Sequence, residues 1–253
     1  MILDGVPRWA WLAFWRWRQF YHRYTVEGLE HLDPPEARIV AGYHGRPLAY
    51  DMCMLTVALY DRLGYLPHGM VHRGTDLVPP LRWLVRQLSF VVADGPDLAD
   101  AIARGEHIVV TPGGGEEGCR RFDDVYRVNW GDRIGYVRLA VKYGLKIVPV
   151  GAAGADGGYI GLNTGPQLGR ALRLPKDYAW TVWTGLGPLG LWPLSPPFPV
   201  RMHQIVGPPI DPREDGATSV DDRAALLRVH RRVTAAVQGL LDAARGRLNG
   251  GSA

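Results

Sequence analysis

The chain has 253 residues, a formal net charge of +4 and 47% hydrophobic residues. That length and composition exclude a disordered chain and fit one large domain, since no Pro/Gly/Ser-rich linker divides the middle. Two cysteines, Cys53 and Cys119, exclude a disulfide framework and zinc-ligand spacing, so a reducing, cytoplasmic setting is expected.

Residues Val6 to Tyr24 read as an amphipathic helix. Arg8, Arg16, Arg18, Gln19, His22 and Arg23 fall mostly in one arc, and Trp9, Ala13, Phe14, Trp17, Phe20, Tyr21 and Tyr24 in another. Tryptophan and tyrosine beside arginine suit the interfacial plane of a bilayer; packing on the domain's own core is the alternative. The arginines interrupt each apolar run, so the helix is too short in apolar length to span a membrane. No signal peptide is expected, because the first five residues lack a basic stretch. The predicted organisation is a membrane-interface helix over 1–24, one α/β domain over 25–248 and a disordered tail over 249–253.

A short strand over Tyr24–Gly28 and a strand over Arg38–Gly42 come next. The second runs into Tyr43-His44-Gly45-Arg46-Pro47-Leu48-Ala49-Tyr50-Asp51 and then a helix from Asp51 to about Leu63. A histidine just past a strand stands at the rim of a sheet. An aspartate at the following helix start can fold back beside it, and a carboxylate on one ring nitrogen leaves the other free to take a proton. Such a pair in a turn also serves as a simple capping contact, so spacing alone leaves both readings open.

The pattern then gives a strand over Gly69–Gly74, a helix over Pro79–Leu88, a strand over Ser89–Ala93 and a short helix over Leu98–Arg104. A strand over His107–Thr111 follows. Strands alternating with helices at this pitch indicate a mixed, largely parallel twisted sheet flanked by helices. The segment Pro112–Gly118 reads as a glycine-rich loop able to bring backbone amides close to a ligand. Gly113, Gly115 and Gly118 match the dinucleotide fingerprint formally. Two glutamates where a pyrophosphate needs positive potential, and a position in mid-chain, argue against it.

Beyond lie a helix over Ile134–Tyr143, a strand over Lys146–Val150 and a glycine-rich stretch to Gly169. An apolar segment over 178–200 is broken by prolines, which rule out a regular spanning helix. A strand over Arg201–Val206 leads to Gly207-Pro208-Pro209-Ile210. Ser219 and Asp222 read as a capping box for a terminal helix.

Four serines, none in a nucleophile elbow, argue against a serine hydrolase. His68 and His72 on a strand-like stretch would not share a face, and no metal site is expected. Cys119 has no apparent base beside it. The basic balance suits an anionic membrane surface or substrate; charge alone admits nucleic acid, but no nucleic-acid partner is expected.

Taken in order, these blocks resemble the glycerolipid acyltransferase superfamily, the lysophospholipid acyltransferase-like enzymes, over about Val26 to Ile210. The blocks are His44 with Asp51, Val110-Thr111-Pro112-Gly113-Gly114-Gly115-Glu116-Glu117, Trp130-Gly131-Asp132-Arg133-Ile134-Gly135-Tyr136, Ile147-Val148-Pro149-Val150 and Val206-Gly207-Pro208-Pro209-Ile210. In that family a histidine and an aspartate, usually with four residues between, carry the reaction; here six lie between. The resemblance implies an α/β fold and O-acyl transfer from acyl-CoA or acyl-carrier protein to a lipid hydroxyl, with no cofactor beyond acyl-CoA as co-substrate. It implies His44 as base, Asp51 as its partner, and Gly113, Gly114, Gly115, Glu117, Arg73 and Pro209 as substrate-binding residues. A loop with glutamates and no arginine is poor at holding a phosphomonoester. In this it looks closer to the diacylglycerol acyltransferase type-2 branch, with neutral acceptors. The expected location is the cytoplasmic face of a membrane, peripherally bound. A non-catalytic lipid-binding protein and a thioesterase with water as acceptor are the competing readings.

Overall fold

The computed structural model describes residues 5–33, 36–46, 49–71, 83, 87–92, 95–164, 167, 170, 171, 173, 181–187 and 190–250. Helix α1 (Val6–Tyr21) precedes strands β1 (Thr25–Glu27) and β2 (Arg38–Gly42), and helix α2 (Tyr50–Leu63) follows. Strands β3 (His68–Val71) and β4 (Val91–Val92), helix α3 (Pro96–Ala103), strand β5 (Ile108–Val110) and a short helix α4 (Gly114–Gly118) come next. Helix α5 (Gly135–Tyr143), strands β6 (Lys146–Ala153), β7 (Ile160–Gly161), β8 (Trp183–Thr184) and β9 (His203–Val206), and helix α6 (Arg223–Gly250) complete the order.

Seven strands make one sheet in the order β1-β9-β6-β2-β5-β3-β4. Every neighbouring pair is parallel except β6 with β9. The sheet is thus mixed and mostly parallel, as expected. Its central strands are apolar on both faces, the pattern of strands covered by helices on each side. Ile39, Ala41, Ile108, Val110 and Ile147 pack with α3, α5 and α6 in the largest core cluster. Val40, Val109, Val148 and Val150 alternate to the other face, against Met52, Leu55 and Leu59 of α2. Each such side chain, fully buried, contributes about 1.5–3 kcal/mol. Helix α1 then lies on α2 through Leu12 and Trp15, which pack with Tyr50, Met54 and Val57.

Gly42 closes β2 where the chain must pass α2 closely: a Cβ there would sit 2.6 Å from the Met52 Cε. Strand β2 therefore ends at a fixed height beside α2, and His44 emerges at the carboxyl edge of the sheet. The ends of β3 and β5 lie at the same edge. In open α/β sheets that edge is where ligands bind.

Several expectations change. The glycine-rich loop contains a turn of helix, α4, closed by the Glu117 amide on the Gly113 carbonyl and the Cys119 amide on the Gly115 carbonyl; Gly114 enters it with a left-handed φ of 56°, its amide bonded back to the Thr111 carbonyl. The terminal helix is capped by Asp222 alone, whose Oδ1 accepts from the Ala225 amide at 2.9 Å; Ser219 Oγ accepts from Asp221. That helix includes Asn249 and Gly250, so those residues are not a tail. The small β7–β8 pair was not foreseen. The helix expected over 79–88 falls largely outside the described residues, as do residues 251–253. Among the described residues no helix is long and apolar enough to cross a membrane.

Candidate active site

His44 lies two residues past β2 and lines an apolar cavity of about 410 Å³. The cavity runs between α1, α2 and the sheet. Trp11 and Trp15 come from α1, Met52, Cys53 and Thr56 from α2, and Val109 and Thr111 from β5 and its end. Leu66, Leu88 and Phe90 close its far side. Its volume falls in the range of small-molecule sites, about 300–1,000 Å³. No group of His, Cys, Asp or Glu among the described residues could hold a metal ion.

The imidazole is held through its own neighbour. His44 Nδ1 lies 3.1 Å from the Gly45 carbonyl oxygen. A carbonyl only accepts, so Nδ1 carries the hydrogen and Nε2 keeps its lone pair. Asp51 stands one bond further back. Its Oδ1 accepts from the Gly45 amide at 3.0 Å, and its buried Oδ2 has no hydrogen-bond partner among the described residues. Among the described residues no hydrogen bond joins the His44 ring to Asp51, contrary to the expected direct pair. The six-residue interval places Asp51 in the first turn of α2, where its carboxylate meets the peptide after His44 instead of the ring. Burial is the main cause that pushes the Asp51 carboxyl up to about 7. Burial, then the Arg120 charge, bring His44 down to about 4.

Glu117 is buried, and its carboxylate is occupied by three donors of the protein itself. Its Oε2 accepts from the His44 amide at 2.9 Å and from Trp130 Nε1 at 3.2 Å, and its Oε1 from the Asn129 amide at 2.8 Å. Burial pushes its carboxyl up from the usual range against those donors. The His44 carbonyl in turn accepts from Arg120 at 2.9 Å. Both main-chain polar groups of His44 are thus clamped by buried side chains.

Behind the clamp lies an ion cluster that sequence reasoning missed. Arg120 pairs with Asp156. Arg46 donates to the Asp156 carbonyl from Nη2 at 2.9 Å and to the Arg120 carbonyl at 3.1 Å. Tyr43 donates its hydroxyl hydrogen to Asp156 Oδ2 at 2.7 Å, and the Arg120 guanidinium lies 4.2 Å from the Tyr43 ring centre. The side chains of Arg46, Arg120 and Asp156 are all nearly inaccessible. Arginines in polar stretches gave no sign of burial; Tyr43 and Arg46 flanking His44 were the available hint.

The glycines serve contact with side chains. A Cβ on Gly118 would fall 2.5 Å from both Nδ1 and Cε1 of His44, and one on Gly113 would fall 2.5 Å from the Glu117 Cβ. The Gly114 amide is already bonded to Thr111, at 2.9 Å. Among the described residues lining the apolar cavity, none is Gly113, Gly114 or Gly115. Pro209 is remote. Ile210 bridges to Ile147, which pairs with Ile39 at the opposite end of β2 from His44, roughly 16 Å along the chain direction at about 3.3 Å per residue. Arg73 and His72 lie outside the described residues. His68 bonds to Glu106 at 2.7 Å and Ser89 at 2.9 Å, a structural role. Cys119 is buried, and burial pushes its thiol up.

No family model matches the chain. An uncharacterized protein of Mycobacterium tuberculosis is 29% identical over 86% of this chain and 60% of its own length. The "DGAT1/2-independent enzyme synthesizing storage lipids" of Bos taurus is 22% identical over 84% of this chain and 61% of its length. The chain therefore spans about three-fifths of the curated relatives it matches. Among solved structures, the 1-acyl-sn-glycerophosphate acyltransferase PlsC of Thermotoga maritima aligns at a TM-score of 0.52 and 19% identity, covering 92% of this chain and 77% of that one. The architecture thus agrees with the one the sequence resemblance implied, and the chain shares the fold of PlsC.

Proposed function

We propose that the protein is a membrane-associated O-acyltransferase that moves a fatty acyl group from a thioester, acyl-CoA or acyl-carrier protein, to a hydroxyl of a glycerolipid or other lipid alcohol. One observation carries this reading: an imidazole with a fixed tautomer lines an apolar cavity suited to an acyl chain. The names of the storage-lipid enzyme and of PlsC support it.

In this reading His44 Nε2 takes the proton of the acceptor hydroxyl as its oxygen bonds to the thioester carbonyl carbon. The carbon–sulfur bond then breaks, and the thiolate takes the proton from the imidazolium. Nδ1–H stays on the Gly45 carbonyl throughout. Asp51 is a positioning residue, holding the Gly45 peptide. Exposed aromatic residues on α1, Trp9, Phe14, Trp17 and Phe20, with Arg8 and Arg16 beside them, rest on the cytoplasmic face of a bilayer.

The test is acyl transfer from labelled acyl-CoA to a panel of lipid alcohols and lysophospholipids, with His44→Ala as the probe. Loss of the base lowers the rate by about 10²–10⁴-fold while the melting temperature holds. Full activity of the variant sinks the proposal. Release of free fatty acid with no acylated acceptor assigns a thioesterase, and acyl-chain binding without turnover assigns a lipid carrier.

A further inference from the structure

The carboxyl edge of the sheet opens on both faces. On the side away from α1 and α2 a second cavity of about 720 Å³ lies against α5. Met70 and Thr111 line both cavities, so the two meet at that edge. The second differs in kind. Its floor is apolar, from Val110, Leu139 and Val220, while Arg133, Arg138 and Lys142 supply its charge. No acidic residue lines it among the described residues.

Arg133 is partly committed: it donates to the Gly113 carbonyl at 3.0 Å and pairs with Glu116. Arg138 and Lys142 are exposed, one turn apart on the same face of α5, and Arg138 has no ion pair among the described residues. Like charges at that spacing repel, at a cost of about 0.2–0.5 kcal/mol, and an anion between them reverses the sign. The positive end of the α5 dipole points to the same edge, and beside Gly135 the space for a side chain is open. A ligand with a flat apolar part and several negative charges matches this combination better than a simple lipid or a free phosphate.

We propose that this crevice is the subsite for the phosphorylated nucleotide of a coenzyme A thioester. Its base lies on the apolar floor and its phosphates on Arg138 and Lys142. The pantetheine arm crosses the sheet edge at Met70 and Thr111 and delivers the thioester to His44, with the acyl chain in the first cavity. This rests on the acyl-transfer reading and selects CoA over acyl-carrier protein as its donor.

The experiment is calorimetric titration of the intact protein with CoA, dephospho-CoA and adenosine 3′,5′-bisphosphate, which reads binding without turnover. Wild type binds CoA more tightly than dephospho-CoA, and the bisphosphate competes. Arg138→Glu with Lys142→Glu lowers CoA affinity by about tenfold or more and erases that preference, the loss expected of charge-assisted phosphate contacts. Arg231→Glu, a charge reversal on α6 outside the crevice, binds as wild type. If the reversed pair unfolds, Arg138→Gln with Lys142→Gln makes the same test. Equal binding of CoA and dephospho-CoA by wild type, unchanged CoA affinity in the double variant, or acyl transfer from acyl-carrier protein alone overturns the proposal. CoA binding as expected with no acceptor acylated leaves the crevice in place and removes the acyl-transfer reading instead.

Discussion

Asp51→Asn separates two ways in which a carboxyl group supports an imidazole. Asp51 reaches His44 through the Gly45 peptide, with one oxygen unpartnered among the described residues and the carboxyl pushed up to about 7. At neutral pH a large share of the group is uncharged, so it gives little stabilisation to an imidazolium. Asparagine keeps the oxygen that accepts from Gly45. The expected fall in kcat/KM is therefore about tenfold or less, the worth of one perturbed hydrogen bond. A carboxylate bonded directly to the catalytic imidazole would cost about 10⁴-fold on the same change. Asp51→Ala, which strips the buried Gly45 amide of its acceptor, costs about 1–3 kcal/mol of stability. The pH dependence gives a second readout. A carboxyl whose folded value exceeds its unfolded one adds stability that is full below the unfolded value of 3.8 and is lost as pH rises through about 7. Wild type thus weakens relative to Asp51→Asn over that window, by up to about 4 kcal/mol. His44, brought down to about 4, contributes the opposite slope in both proteins and cancels in the difference. Denaturant unfolding of both proteins at pH 4 to 8, with initial rates at pH 7, provides the data. A loss of 10³-fold or more together with parallel stability curves would refute the arrangement.

Three further outcomes follow from the same geometry. Gly118→Ala places a methyl group 2.5 Å from two imidazole atoms, so the ring must shift. Misplacement on that scale costs about 10²-fold in kcat, read beside a melting curve showing a folded protein. Thr56→Phe fills part of the apolar cavity that Thr56 lines. Competition between donors of different chain length then shows a shift toward shorter acyl groups; an unchanged preference would mean that the chain lies elsewhere. Trp9 and Phe20 are 72% and 82% exposed, so Trp9→Ser with Phe20→Ser leaves the core intact. Partition onto anionic vesicles falls by about tenfold or more in sedimentation assays, and wild-type partition by the variant rules out α1 as the contact.

Much of the framework was legible because period and punctuation agree locally. Arg38–Gly42 was read with its observed limits, and the α5 helix to within one residue at its start. His44 stood out because it stands two residues past the apolar run Ile39–Gly42. What escaped depends on contacts far apart in sequence. Glu117 meets His44 across 73 positions, and Arg46 meets Asp156 across 110. No local spacing encodes such pairs. The glycine run misled for a related reason: glycine marks close approach of backbone, but sequence does not tell whether a ligand or a side chain approaches. At Gly118 it is the imidazole, and at Gly113 the side chain of Glu117. Pro209 was matched to a block by order along the chain, whereas the antiparallel β6–β9 pairing carries it to the opposite end of the sheet.

The buried ion cluster gives a physical reason for using a weak base. Replacing a buried ion pair by well-packed hydrophobic residues is often neutral or stabilising by about 1–4 kcal/mol, so Arg120 and Asp156 are expensive to keep near an apolar cavity unless they do something a hydrophobic pair would not. Arg120 does two things at once. It fixes the His44 carbonyl, and its charge adds to burial in holding the imidazole uncharged. An imidazole at about 4 is a neutral base across the physiological range, so none of the protein is lost to the protonated form. The cost appears only when the proton arrives, because an imidazolium beside Arg120 is unfavourable. That cost is offset only if negative charge develops nearby in the same step, as it does on the thioester oxygen when an acceptor attacks. A base so placed accepts a proton readily from an attacking hydroxyl and poorly from bulk water. Arg120→Met, which removes the charge, should therefore raise the His44 pKa and move the acidic limb of the kcat/KM profile to higher pH. An unmoved acidic limb in a folded variant would show that burial alone sets the imidazole, and that the cluster is purely a brace.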